Sequence, residues 1–345
     1  MIGIKQNVDL RNYSTMRLGG ISDYLVEVTT RQDLEEATLF ARNNNLKIIM
    51  IGGGSNIIWR DEGYKGLIIV NRISGFRVTS EDGENVFINI GAGEIWDNVV
   101  GKAVEMNLTG IESLSLVPGS AGATVIQNVG AYGQEISQSL INVEVFDLTD
   151  YTFKIIPATN CQLSYRTSIF KSNPNNPYLI TALTLNLKKS PPDQTKLYPA
   201  VLDYFSKNQI TQVSPSTVRQ AVINIRTAKL PDPKIVANNG SFFTNPTIPY
   251  KQFFDLQKSL NLSIPHWKVD NQTVKVAAAW LIEFAGLKDY HDSATGFSTW
   301  KTQALVIVNE NGKSTGDLIV FRDFIIDSVY KRTGIKLTQE PQILP

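Results

Sequence analysis

The sequence predicts an α+β protein of two or three domains, and three observations carry that prediction. At 345 residues the chain exceeds what one hydrophobic core of ordinary size fills. Short apolar runs interleave with segments of helical spacing along its whole length. Three glycine-rich turns, 52–56, 91–96 and 117–133, each follow or flank an expected strand, and the stretch Lys188-Lys-Ser-Pro-Pro-Asp-Gln-Thr-Lys-Leu-Tyr-Pro199 then breaks the pattern as a domain boundary.

Taken in order, Tyr24-Leu-Val-Glu-Val28 reads as a strand. Thr30-Arg-Gln-Asp33 reads as a capping box opening a helix that turns Leu34, Ala37 and Ala41 to one face. Leu46 to Ile51 follows as a buried strand, so the opening is a βαβ-like unit. Val86 to Ile90 alternates as a strand, and Trp96, Val99, Val100, Ala103 and Val104 recur at helical spacing. Leu140–Phe146 and Thr152–Ile156 form a hairpin, and Tyr178 to Leu187 is a further strand. Beyond the boundary come a helix over 217–229, an apolar helix over 274–286 carrying Lys275 and Glu283, a strand over 304–308 and a last helix over 317–333.

The stretch Val117-Pro-Gly-Ser-Ala-Gly-Ala-Thr-Val-Ile-Gln-Asn-Val-Gly-Ala-Tyr-Gly133 contains no charge. Its small residues leave backbone bare for close approach to a flat or anionic ligand. Thr124, Gln127, Asn128 and Tyr132 supply hydrogen-bonding groups and one aromatic face. Gly52-Gly-Gly-Ser-Asn56 can form an anion-binding nest, but it is neither a Walker motif nor GxGxxG, and taken alone it reads more readily as a simple tight turn. The three turns together imply an extended dinucleotide. Tyr165-Arg-Thr-Ser-Ile-Phe-Lys171 is either an exposed loop or an anion clamp. Ser241, between Gly240 and two phenylalanines, is either a hydroxyl presented in a dry pocket or a turn serine beside core aromatics.

Composition narrows the chemistry. A formal net charge of +1 gives no global attraction to nucleic acid or anionic membrane, and 42% apolar with 19% charged residues is ordinary for a soluble protein. No apolar run reaches membrane-spanning length and the N-terminus lacks a signal-peptide core, so a cytoplasmic setting is expected. Cys161, the one cysteine, has no internal disulfide partner. His266 and His291 stand alone, which argues against a zinc site or a Ser-His-Asp hydrolase. Acid–base work falls to Ser, Tyr, Lys, Arg and carboxylates.

Read together, these loops resemble the UDP-N-acetylenolpyruvoylglucosamine reductase (MurB) family. The residues that carry the resemblance are Gly52-Gly-Gly-Ser-Asn56, Gly91-Ala-Gly-Glu-x-Trp96, Pro118-Gly-Ser-x-Gly122 with Ile126-Gln-Asn-Val-Gly-Ala-Tyr-Gly133, Tyr165-Arg-x-Ser-x-Phe-Lys171, Lys229-Leu-Pro-Asp-Pro-Lys234 and Gly240-Ser-Phe-Phe-x-Asn-Pro246. It runs from about Thr15 to Glu340. The chain departs from the family pattern at Val125 (usually proline), Thr167 (usually aspartate), Trp300 (often histidine) and in its shortened tail.

The resemblance implies an FAD-binding domain of the vanillyl-alcohol-oxidase (PCMH) type followed by a smaller α+β substrate domain. The expected divisions are 1–70 and 71–200 for the FAD-binding part, 201–330 for the substrate domain, and 331–345 for a tail returning to the active site. It implies non-covalent FAD at Gly52, Gly53, Gly54, Ser55, Asn56, Pro118, Gly119, Ser120, Gly122, Ala123, Thr124, Gln127, Asn128, Gly130 and Tyr132. NADPH is the implied reductant and UDP-N-acetylglucosamine enolpyruvate the substrate, handled by a monomer with no nucleic-acid or membrane partner. Hydride from flavin N5 would reach the enol ether, Arg166 with Glu340 would stabilise the enolate-like intermediate, and Ser241 would supply the proton. Tyr165, Tyr198, Lys229, Asn245 and Lys275 match substrate-binding positions. The alternatives are an FAD-dependent alcohol or sugar oxidase of the same fold, and a non-catalytic nucleotide sensor. The motifs after Lys229 speak against the first, and Arg166, Ser241 and Glu340 against the second.

Overall fold

A computed structural model describes residues 2–173 and 175–345 and divides the chain into two compact units. The first comprises 1–8, 22–53 and 65–228; the second comprises 9–21, 54–64 and 229–345. Packing therefore places the break after Ala228 rather than at the proline-rich stretch 188–199. The reason is physical: helices Pro199–Lys207 and Pro215–Lys229 bury Val201, Phe205, Val218 and Val222 in one cluster with Tyr132 of the glycine-rich stretch. A sequence break does not separate what shares a core.

The first unit holds two sheets. In the four-stranded one the order is Lys5–Asp9, Ile21–Val28, Tyr64–Asn71, Ile48–Ile51. The opening is thus a βαβ crossover with a later strand inserted between its two strands, and Ile48–Ile51 runs parallel to its neighbour. The capping box forms as expected: Thr30 Oγ1 accepts from the Asp33 amide while the Asp33 carboxylate accepts from the Thr30 amide. That satisfies two of the amides a helix start leaves unpaired. The second sheet is antiparallel, in the order Thr152–Pro157, Leu140–Asp147, Tyr178–Lys188, Asn85–Gly91, Phe76–Glu81. Its inner face packs Val143, Val145, Leu183 and Leu185 against Trp96, Val99 and Val100 of helix Trp96–Glu105, the period-3.6 face seen in the sequence.

In the second unit, helices Ala278–Phe284 and Thr315–Thr333 pack Leu281, Ile282, Leu318, Phe321 and Ile325 into one core with Phe242, Phe243 and Phe297. The sheet there runs Ala237–Ser241, Gln303–Asn309, Phe297–Trp300, His291–Asp292. The expected helix over 274–286 is half strand: Thr273–Val276 pairs with Thr247–Pro249 and His266–Lys268 before the helix begins at Ala278. An apolar run of that length has no periodicity that distinguishes a strand-plus-helix from one helix, and pairing partners decide it. The C-terminal segment is a strand, Gln342–Leu344, parallel to Ile57–Trp59.

Candidate functional site

Three glycine turns meet in the first unit, and the reason they are glycine is visible. A Cβ on Gly52 would stand 2.1 Å from Ser120 Oγ, one on Gly53 3.3 Å from Gly119 Cα, and one on Gly122 2.7 Å from the Ala92 Cβ. The amides of Ala121 and Gly122 donate to Glu94 O and Ala92 O at 2.8 and 2.9 Å, and Trp96 N donates to Gly119 O at 3.0 Å. Part of the bareness read as ligand space is therefore a demand of loop against loop. Gly133, by contrast, has φ +83° and no heavy atom nearer than 3.7 Å to a built Cβ. Only glycine holds such a conformation at little cost.

Thr124, Gln127 and Asn128 of this stretch are tied down. Thr124 Oγ1 donates to Ala121 O at 2.6 Å inside the short helix Ala121–Ile126 that Ser120 precedes. Asn128 Nδ2 donates to Glu135 Oε2 and Ser164 O, and its Oδ1 accepts from the Ser137 amide. Lys171 Nζ donates to Gln127 Oε1 at 2.9 Å, and Ser168 Oγ to Ile126 O at 2.6 Å. Arg166 Nη2 donates to Gly130 O at 3.1 Å, with its guanidinium 5.1 Å from the centre of the Tyr165 ring. The 165–171 segment, expected as either loop or clamp, thus sits directly on the uncharged stretch.

Left-handed backbone occurs here too. Leu116, Asn128, Tyr132 and Arg166 have φ of 58°, 47°, 47° and 58°, a region costing non-glycine residues about 1–3 kcal/mol each. Tyr132 meets Tyr198 edge-to-face at 5.7 Å. Burial raises both phenols above their ordinary value, partly offset at Tyr132 by the Arg226 guanidinium. Converging bare backbone, rigid uncharged donors and acceptors, and a cation on the rim fit an extended dinucleotide such as FAD. No histidine lies in this unit, so covalent attachment through one is not available.

The five-residue run 52–56 is divided: Gly54, Ser55 and Asn56 belong to the second unit. Gly54 there has φ +69°, and a Cβ on it would meet Tyr13 O at 2.2 Å. Ser55 O accepts from Asn239 Nδ2, and Asn56 O from the Gln342 amide. Ser241 ends strand Ala237–Ser241 opposite Val306, after a register shift and Gly240 at φ +69°. Such a bulge re-aims the side chain that follows it. Ser241 is exposed, which fits the turn serine beside core aromatics rather than the dry pocket: Phe242 and Phe243 turn inward to the core and leave the serine on the outer side. Glu340, although near the C-terminus, is buried and its amide donates to Phe242 O at 2.9 Å; Gln339 bridges Phe243. The fold thus brings Glu340 beside the residue after Ser241 across about a hundred positions of chain.

Asn245 Oδ1 accepts from the Ala278 amide and fixes the start of helix Ala278–Phe284. Lys275 lies opposite Thr247 and Trp267 on its strand. Lys229, exposed at a helix end, offers its carbonyl to Thr302 Oγ1 at 2.7 Å. Three residues beside the first unit's stretch carried no sequence signal that separated them from ordinary surface charge: Asp97, Arg219 and Arg226. Arg219 Nη1 and Nη2 clasp Asp97 Oδ1 and Oδ2 at 2.7 and 3.0 Å, and the Leu116 amide donates to Oδ1 at 2.6 Å. Burial pushes the Asp97 carboxyl up, and these bonds more than offset it, holding the group below its ordinary value. Cys161 is buried and its thiol is pushed up to about 11, so it is no nucleophile.

Among the described residues no cluster of three His, Cys, Asp or Glu side chains forms that would hold a metal ion, and no helix is long and apolar enough to cross a membrane. Residues 22–152 match the model of an FAD binding domain, and residues 232–344 that of the C-terminal domain of UDP-N-acetylenolpyruvoylglucosamine reductase. The reductase of that name from Alcanivorax borkumensis is 34% identical over 98% of this chain and 96% of its own. That from Flavobacterium johnsoniae is 32% identical over 99% of both chains. The crystal structure of the reductase from Thermus caldophilus superposes with a TM-score of 0.68 at 21% identity, covering 100% of each chain, so the fold is shared.

Proposed function

The chain belongs to the UDP-N-acetylenolpyruvoylglucosamine reductase family, and from that premise we propose that it reduces UDP-N-acetylglucosamine enolpyruvate to UDP-N-acetylmuramate with electrons from NADPH. It is an FAD-dependent oxidoreductase of peptidoglycan synthesis. The observation that supports the finer reading is the presence in one chain of the FAD-binding domain and the reductase's own C-terminal domain, where a sugar or alcohol oxidase has no need of the latter.

When bound, FAD would supply the two-electron redox chemistry that links NADPH to the terminal enolpyruvyl carbon of the substrate. The chain's residues handle what that step leaves behind. Negative charge develops on the carboxylate-conjugated carbon and its oxygens, and a fixed cation aimed there lowers the barrier. Arg166, held at φ +58° and hydrogen-bonded to Gly130 O, is that cation in our reading. Ser241 Oγ–H then donates the proton to the neighbouring carbon, and Glu340 takes part in stabilising the intermediate. An exposed serine is a weak acid, so its assistance comes from substrate and neighbouring cations; Lys229 and Lys275 serve there and bind substrate phosphates, with Tyr165, Tyr198 and Asn245 as further contacts. The protein works as a monomer in the cytoplasm, and the FAD ligands are those named from 52–56 and 118–132.

The test is an anaerobic visible spectrum of the purified protein with NADPH and then the enolpyruvyl substrate added in turn. Bleaching by NADPH and recovery on adding substrate is the expected result. Recovery only with oxygen overturns the substrate assignment in favour of an oxidase, and a colourless protein that FAD cannot reconstitute overturns the reading altogether.

A further inference from the structure

Helix Pro215–Lys229 carries Arg219 and Arg226 seven residues apart, hence on one face, with Val222 between them packed into the cluster that includes Tyr132. The face lies against Asp97, yet only Arg219 is paired with it. Both Asp97 oxygens are taken by the Arg219 fork, and Oδ1 also accepts from the Leu116 amide. Arg226 feels Asp97 only at longer range, and the Tyr132 phenol is its other polar neighbour, in the cluster that this helix packs against. Its Nε is buried and has no hydrogen-bond partner among the described residues. Two guanidinium groups thus share one carboxylate, which is clasped by only one of them, in a desolvated place.

A guanidinium keeps its charge in a protein and carries five donors in a planar fork. Burying that charge without a counter-ion costs several kcal/mol, and a neutral phenol offsets little of it. The group that would complete the site is an anion with at least one acceptor oxygen, and the Tyr132 contact places the site at the end of the uncharged stretch. We propose that Arg226 is an anion-binding residue of the cradle, taking a phosphate or carboxylate oxygen of the ligand seated there. The proposal rests on the reading that the stretch 117–133 holds FAD, with the nucleotide substrates as the second source of the same chemistry.

The experiment compares wild type, Arg226→Gln and Arg226→Lys. Apoprotein is titrated with FAD by flavin fluorescence, and the reloaded proteins are titrated with NADP⁺ and with UDP-N-acetylmuramate by flavin difference spectra. A rise of tenfold or more in the FAD Kd for Arg226→Gln, with partial recovery in Arg226→Lys, assigns the anion to the cofactor. An unchanged FAD Kd with a tenfold rise for either nucleotide assigns it to that ligand. If all three constants stay within twofold of wild type, Arg226 merely anchors Tyr132 and the proposal is overturned. Should Arg226→Gln not fold, Arg226→Lys decides: with an unchanged urea midpoint it must still weaken one ligand at least threefold, and equal affinities overturn the proposal. Failure of the underlying reading has a different signature, since wild-type apoprotein would then not bind FAD at all.

Discussion

Two glycine-bearing turns of this molecule present functional groups by opposite means. Where the 117–133 stretch meets the other loops, glycine is set by contact: Gly122 faces Ala92, and Gly52 of the facing turn stands against Ser120, each with little room for a methyl group. Rigidity there comes from close backbone packing and from the hydrogen-bonded side chains of Thr124, Gln127 and Asn128. At Ser241 the preceding Gly240 has nothing within 4 Å of a built Cβ and is required only for its left-handed φ. There the serine stands exposed at a strand end, and its position is set by two buried phenylalanines and by a segment returning from the far C-terminus. The first construction suits a cofactor that stays; the second leaves a reactive hydroxyl open to a substrate that comes and goes.

The sharpest way to break this comparison is Ser241→Ala. The serine plays no part in holding the cradle, so flavin reduction by NADPH should be unchanged, while reoxidation by the enolpyruvyl substrate should slow about 10²–10⁴-fold. Near-normal reoxidation in anaerobic stopped-flow removes Ser241 from the proton-donor role. Arg166→Ala comes next: a loss of about 10²–10³-fold in substrate reduction is expected, with FAD retained. Release of flavin on gel filtration would instead make Arg166 a cofactor ligand. Gly122→Ala should cost about 1–3 kcal/mol, because the added methyl lands 2.7 Å from Ala92 in a packed loop junction, and the loss should appear in the urea midpoint together with weaker FAD binding.

Asp97→Asn tests the support beneath the cradle through pH. The folded Asp97 titrates below its unfolded value of about 3.9, so it contributes stability that is fully present above that pH and lost as pH falls through the folded value. Wild type should therefore lose about 2 kcal/mol relative to the variant between pH 5 and the acid limit, seen as convergence of their urea midpoints. Parallel curves would mean the Arg219 pair contributes nothing. The smallest effect is expected at Gly240→Ala, about 1–2 kcal/mol for a left-handed φ with no steric clash and no change in FAD affinity. Weaker FAD binding in that variant would abolish the distinction drawn between the two turns.

Legibility in the sequence follows the same division. The capping box Thr30–Asp33, the hairpin over 140–157 and the buried face of Trp96–Glu105 rest on contacts between near neighbours in the chain, and each forms as its spacing predicts. Lys275 lies on a strand and not on the helix that the sequence predicts, because an apolar run does not say where its partner strand lies. The break expected at the two prolines moved to Ala228, since a helix pair beyond them shares a core with Tyr132. Asp97, Arg219 and Arg226 were invisible as a group: 122 residues separate the ion pair, and nothing local marks one arginine as clasped and the other as not.

What the sequence determined by itself is the chemistry on offer: uncharged bare backbone over 117–133, cations at 166 and 171, one serine set off by glycine, and almost no histidine. These are properties of residue types and short spacings, and they carried the family and its cofactor. What only the tertiary structure decided is which of those groups share a place. Loop-against-loop contact accounts for glycine at 52 and 122, a returning strand brings Glu340 beside Phe242, and a carboxylate clasped by Arg219 leaves the buried Arg226 Nε without a hydrogen-bond partner among the described residues. Such outcomes depend on burial and on partners distant in the chain, where desolvation sets the cost of each polar group, and no local pattern encodes that cost.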